Sequence, residues 1–169
     1  MNADSLETSR LTLIPADIEI LRYELKRERF PDPLKGITIP RNWPHHTITN
    51  DVIEAFLLLL EQNRLYNFYW IYNNDSGERI LIGSGGIMLN EDFDYEIGYS
   101  VMEQFENNGF ATEAIICIIR WFANSTHGER VIAKTEKNNQ PSIRVLEKAG
   151  FTFSGEEKGS NLLIYSCNI

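Results

Sequence analysis

A chain of 169 residues is long enough to bury a substantial core, and we read 1–169 as one domain. Its 43% hydrophobic and 24% charged residues exclude a disordered chain, and its net charge of −8 disfavours nucleic acid and favours a cationic small molecule or basic peptide. The most apolar run, "AFLLLL" at Ala55–Leu60, is too short to cross a bilayer, so no membrane partner is expected.

In chain order, "SRLTLIPA" alternates as a strand, with Leu11 and Leu13 on one face. Pro15 and Asp17 then open a helix of roughly "DIEILRYELKRE". The four prolines of "FPDPLKGITIPRNWPHH" predict an irregular excursion. Thr49 to Asp51 can cap a second helix, "DVIEAFLLLLEQN". "FYWIYN" and "RILIGSGGIML" read as strands joined by the turn "NDSG". "GSGG" at Gly83–Gly86 does not suit a dinucleotide fingerprint, because a strand rather than a helix follows it. These glycines instead suggest a bulge or a close backbone approach.

A strand "FDYEIGYSV" precedes "QFENNGFATEA", where apolar residues from Ala111 to Phe122 recur at helical spacing. In this turn Asn107, Asn108 and Gly109 tolerate left-handed backbone, which points successive N–H groups into a concavity. With the unpaired N–H groups of the helix start they can form an anion site, and the small Ala111 allows close approach. A plain surface turn into a core helix fits the same letters. "RVIAKT" is a strand, "PSIRVLEKAG" a helix ending at Gly150, and "FTFSG" with "LLIYSC" a closing strand pair. The order predicts an α/β fold with a mixed, mostly antiparallel sheet of six to seven strands, including one β-α-β crossover.

Cys117 and Cys167 have neither metal-site nor disulfide spacing. With a polar, acidic Met1–Arg10 that does not read as a secretory leader, they point to the cytoplasm. His45 and His46 are loop neighbours and complete no Ser-His-Asp set, and no metal site is expected.

"TSRLTLIPA", "EIGYSV", "NGFATEA" and "NNQPSIRVLEKAGF", in this order and spacing, resemble the GNAT superfamily of acetyl-CoA-dependent N-acetyltransferases. They look most like its branch of ribosomal-protein N-terminal acetyltransferases, the RimJ/RimL-like one, over about Thr8 to Gly155. The resemblance implies helices on both sheet faces and a splayed parallel strand pair that receives the pantetheine arm. It implies that Ser100, Val101 and Met102 hold that arm. Asn107, Asn108, Gly109, Phe110, Ala111 and Thr112 would hold the pyrophosphate through N–H groups. Glu106 stands where the family usually has Gln or Arg, and a carboxylate there repels a pyrophosphate unless it points away or is paired.

By the same resemblance Asn139 contacts the cofactor arm, and Ser142 lies near the sulfur and protonates the departing thiolate. Both residue types also suit helix capping. Leu146 occupies the position where many members carry a tyrosine acid. An amine must lose a proton before it attacks, and Glu96 is the first candidate base, with Asp94 and Glu91 as alternatives. Glu96 equally suits an exposed carboxylate opposite a cross-strand partner. Trp43, in the proline-stiffened loop, either walls the acceptor pocket or anchors the excursion to the core. The implied reaction is direct acetyl transfer from acetyl-CoA to an amine-bearing small molecule or protein N-terminus, by a monomer or homodimer. The competing reading is a non-catalytic binding module of the same fold.

Overall fold

The computed structural model describes residues 4–26, 34–125 and 128–169. The predicted end of the first helix and the start of the proline-rich excursion, at 27–33, lie outside them. One open sheet runs through the chain. Its strands are Leu6–Glu7 (β1), Leu11–Pro15 (β2), Leu65–Asn73 (β3), Arg79–Leu89 (β4), Tyr95–Val101 (β5), Arg130–Glu136 (β6), Thr152–Glu156 (β7) and Leu162–Asn168 (β8). Among the described residues the helices are Ile18–Lys26 (α1), Asn50–Glu61 (α2), Phe110–Ser125 (α3) and Gln140–Lys148 (α4), with a 3-10 turn at Glu103–Phe105.

Strand order is β1-β2-β3-β4-β5-β6-β8-β7, and every pairing is antiparallel except β5 with β6. The sheet therefore has eight strands, where the sequence predicts six to seven. The extra one is β1, whose two residues are too few to show an alternation.

Two apolar layers sandwich the sheet. Ile14, Tyr69, Ile71 and Leu81 pack against Ile20 and Leu21 of α1 and Ile53 of α2. On the opposite face Leu13, Phe68, Trp70, Ile87 and Ile97 meet Ala114, Ile118 and Phe122 of α3 and Leu146 of α4. Each helix sends one stripe inward, as its 3.6-residue spacing demands. Because helices cover both faces, the central strands are apolar in almost every position.

The glycines of β4 do serve close approach. A Cβ on Gly86 would lie 1.9 Å from the Tyr66 carbonyl oxygen, and one on Gly83 would lie 2.5 Å from that of Ser100. A register irregularity falls beside them, between Trp70 and Ile71. The predicted turn after β3 is tied by Asn74, whose Oδ1 accepts from the N–H groups of Ser76 and Glu78.

One feature of the sheet creates the site. β5 and β6 pair only at Tyr95–Val131 and Glu96–Ile132. Beyond Glu96 no ladder joins them, and the sheet forks.

Candidate active site

A cavity of about 320 Å³ opens beside the free stretch of β5. Tyr99, Ser100 and Val101 form one wall, Phe105 to Thr112 without Asn108 form the floor, and Asn139, Pro141, Ser142 and Arg144 close the α4 side. His45 and Thr47 reach its mouth from the loop before α2. Along this edge, the backbone groups of Ile97 to Val101 that point towards β6 lack a ladder partner there.

The floor has the conformation its letters suggest. Asn107 has φ +61° and Gly109 φ +80°, both left-handed, so only Gly109's missing Cβ makes the second bend free of strain. The first bond of α3 runs from the Glu113 N–H to the Gly109 carbonyl. The N–H groups of Phe110, Ala111 and Thr112 thus have no acceptor inside the helix, and the helix dipole adds positive character. Such a turn has the chemistry of an anion cradle.

What fixes the cradle is not evident in the sequence. Arg10 donates through Nη1 to the Asn108 carbonyl (3.0 Å), pairs with Glu113 (2.7 Å) and lies 4.4 Å from the Phe110 ring centre. Glu113 also accepts from the hydroxyls of Thr8 (2.6 Å) and Ser9 (3.0 Å) and from the Arg10 N–H (2.9 Å). Burial works to raise the Glu113 carboxyl, but the bonds from Thr8, Arg10 and Ser9 outweigh it and hold the group below its usual range. These partners lie more than a hundred residues apart, and no local pattern announces them.

On the α4 side, capping and site chemistry separate. Asn139 caps the helix, its Oδ1 accepting from the Ser142 N–H at 3.1 Å, with Pro141 in the first turn. The Ser142 hydroxyl instead meets the Tyr99 hydroxyl at 2.9 Å. Tyr99 also donates to the Ser142 carbonyl at 3.3 Å and stacks on Trp70, with ring centres 6.5 Å apart. Burial pushes the Tyr99 phenol above its ordinary range, opposed by its bond to Ser142. The Tyr99 side chain is a cavity-lining polar group that sequence reading missed, since it looks like one more core aromatic of an alternating strand.

Nine of the expected site residues share the cavity wall: Ser100, Val101, Asn107, Gly109, Phe110, Ala111, Thr112, Asn139 and Ser142. Met102, Asn108, Glu96 and Trp43 do not. Met102 is buried behind the wall, its N–H donating to Ile82. Asn108 turns its amide back to the carbonyls of Phe105 and Glu106. Trp43 packs on Tyr69 and donates from Nε1 to the buried Glu24 (2.7 Å), which also accepts from the Tyr69 hydroxyl.

Glu96 stands at the apex of the fork, on the face opposite Tyr99 because neighbouring strand residues alternate. Asn90 donates to it at 3.2 Å, and the Lys134 ammonium lies 3.8 Å away. A hydrogen bond to Glu157, and then attraction to Glu96, hold Lys134 above its usual range against burial.

The mouth carries mixed charge. Glu106 lines the cavity, while Arg144, Lys148 and His45 supply opposing or neutral groups. Burial and neighbouring His46 lower the His45 pKa, against the attraction of Glu106 and Glu103. Among the described residues, His45, His46 and Glu103 are the one group of three whose ligand atoms fall within a metal's reach. Nothing further joins that group, half-buried at His45 and exposed at His46 and Glu103, to an ion.

The site thus joins a forked parallel strand pair to the N–H groups of a helix start in one cavity. A family model described as the acetyltransferase (GNAT) domain matches residues 10–152, and the chain belongs to that family. An uncharacterized N-acetyltransferase, YjdG of Bacillus subtilis (strain 168), is 27% identical over 148 residues, 86% of this chain and 88% of that protein. A putative GNAT-family acetyltransferase from Bordetella pertussis has the same fold, with a TM-score of 0.70 and 21% identity over 97% of this chain and 99% of that one. RimL, a ribosomal L7/L12 α-N-protein acetyltransferase solved with coenzyme A, aligns with a TM-score of 0.68 at 16% identity, covering 98% of each chain.

Proposed function

We propose that this protein transfers the acetyl group of acetyl-CoA to a primary amine by direct attack, with no acetyl-enzyme. The observation that carries the proposal is the union of fork, cradle and hydroxyl pair in one cavity. The N–H groups at Asn107 to Thr112 suit the pyrophosphate, and the open edge of Ser100 and Val101 suits the amide-bearing pantetheine arm. Backbone N–H groups near Tyr99 to Val101 would polarise the thioester carbonyl as its oxygen gains charge.

The amine, protonated at neutral pH, must release a proton before attacking. Glu96, at the fork apex and on the opposite face, would take it directly or through water. The C–S bond then breaks and the thiolate takes a proton on the Ser142 side. RimL's name supports a protein N-terminus as acceptor, and the acidic balance of the chain equally suits a small cationic amine. Release of CoA from acetyl-CoA across a library of N-terminal peptides and small amines tests the proposal. Turnover with at least one amine is expected, and none across the library would contradict it.

One observation favours the binding-module alternative, namely Glu106 on the cavity wall. If that carboxylate merely weakens a working site, Glu106→Gln should tighten acetyl-CoA about two- to fivefold at low salt, the range of an exposed charge interaction. The gain should shrink as salt rises. Absence of binding by both forms would favour the module.

A further inference from the structure

We propose that Tyr99 is the proton source for the departing thiolate, with Ser142 passing the proton on. The inference rests on the acetyl-transfer reading and adds a residue and a route to it.

The need for a source is chemical. When the C–S bond breaks, the electron pair stays on sulfur, and the resulting thiolate requires a proton. An aliphatic hydroxyl such as that of Ser142 is a far weaker acid than a thiol, so it cannot give up its proton unless it gains another in the same step. A phenol, ordinarily about 10, is far closer in acidity to a thiol, about 8.5, than an aliphatic hydroxyl is; burial raises Tyr99 and its bond to Ser142 opposes that rise.

The geometry supplies the contact. Tyr99 and Ser142 hydroxyl oxygens are 2.9 Å apart on the wall of the cavity. When Tyr99 donates in that bond, the hydrogen of Ser142 is left to point elsewhere. Ser142 is spared from capping because Asn139 performs that task. Tyr99 is held by stacking on Trp70, and its single hydroxyl hydrogen has two acceptors in reach, the Ser142 Oγ at 2.9 Å and the Ser142 carbonyl at 3.3 Å; the shorter contact is the one the relay uses.

In the proposed step the Ser142 O–H proton moves to sulfur as the Tyr99 O–H proton moves to Ser142 Oγ. The phenolate is restored, through solvent, by the proton shed from the attacking amine. One N–H bond is lost and one S–H bond is formed, and both hydroxyls end as they began. The charged and titratable groups around this cavity are Arg144 and Lys148 of α4, His45 of the loop before α2, and Glu106 of the turn. Burial keeps Tyr99 protonated through neutral pH.

The direct test needs no acceptor. CoA bound to the protein is titrated by thiolate absorbance, in the unaltered chain and in Tyr99→Phe. The relay donates to sulfur, so the bound thiol should be more acidic in the unaltered chain than in Tyr99→Phe. Equal thiol titration in both would overturn the proposal alone. Failure of the unaltered chain to bind CoA would overturn the donor reading and the proposal with it.

Turnover with acetyl-CoA and an accepted amine gives the second readout. Tyr99→Phe should lower kcat about 10²-fold, within the span of general acid catalysis. It should add little to Ser142→Ala, since the two act in series. Independent, multiplying losses would contradict a shared route.

Discussion

An attacking amine is protonated at neutral pH, so a residue placed to take that proton sets the rate there, and Glu96 is the first candidate. Its sequence setting offers two readings, a base or a carboxylate facing a cross-strand partner. The fold puts it where the β5–β6 ladder ends, with Asn90 and Lys134 as neighbours. As the base it must compete with Lys134, which stays charged through neutral pH. Glu96→Gln should therefore cost most at neutral pH, where the amine is protonated, and least at high pH, where free amine accumulates. A pH–rate profile of unchanged shape would remove Glu96 from proton transfer. Ser142 and Asn139 illustrate the converse. Both residue types suit caps, and only their partners assign the cap to one and the hydroxyl contact to the other.

At the scale of elements, α3 and the first strands act as one unit through Glu113. Its carboxylate gathers Thr8, Ser9 and Arg10, and Arg10 extends to the carbonyl of Asn108. Glu113→Gln should lower stability by about 1.5–3 kcal/mol, the range for hydrogen bonds to a charged group. The sign of its pH dependence follows from a folded-state value below the unfolded one. The stabilisation is complete above the ordinary carboxylate range and is lost as pH falls through it towards the lowered value. Acid unfolding of the unaltered chain and of Glu113→Gln should converge at low pH, and parallel curves would contradict this account.

The loop before α2 is a second such unit. Trp43 joins Tyr69 and the buried Glu24, so Trp43→Ala should cost about 3 kcal/mol by thermal or urea unfolding, near the low end for a large aromatic. Acetyl-CoA affinity should hold, because Trp43 lies off the cavity wall. A change confined to the acceptor's KM, with full stability, would instead make Trp43 part of the acceptor pocket.

Across the whole molecule, what could be read in advance followed the range of the signal. Helical spacing in α3, alternation in β2 and the "NDSG" turn are local, and each element stands where these patterns place it. β1 is too short to carry a pattern, and the Arg10–Glu113 cluster and the Tyr99–Ser142 contact join residues that only folding brings together. The fork itself is an absence of pairing between two ordinary strands, so it was legible through family resemblance alone. Left-handed backbone at Asn107 and Gly109, by contrast, was written in the residue types. If this turn receives the phosphates of acetyl-CoA, as proposed, binding must depend on its left-handed backbone. Calorimetric titration with acetyl-CoA, run on the unaltered chain and on Gly109→Val, tests it most directly. A β-branched residue cannot easily take the φ of +80° that position 109 requires, although nothing but the Arg10 guanidinium lies within 4 Å of a new Cβ. Saturable one-to-one binding is expected for the unaltered chain, and Gly109→Val should abolish it at any salt while remaining folded by circular dichroism. No binding by the unaltered chain, or equal binding by a folded Gly109→Val, would contradict it.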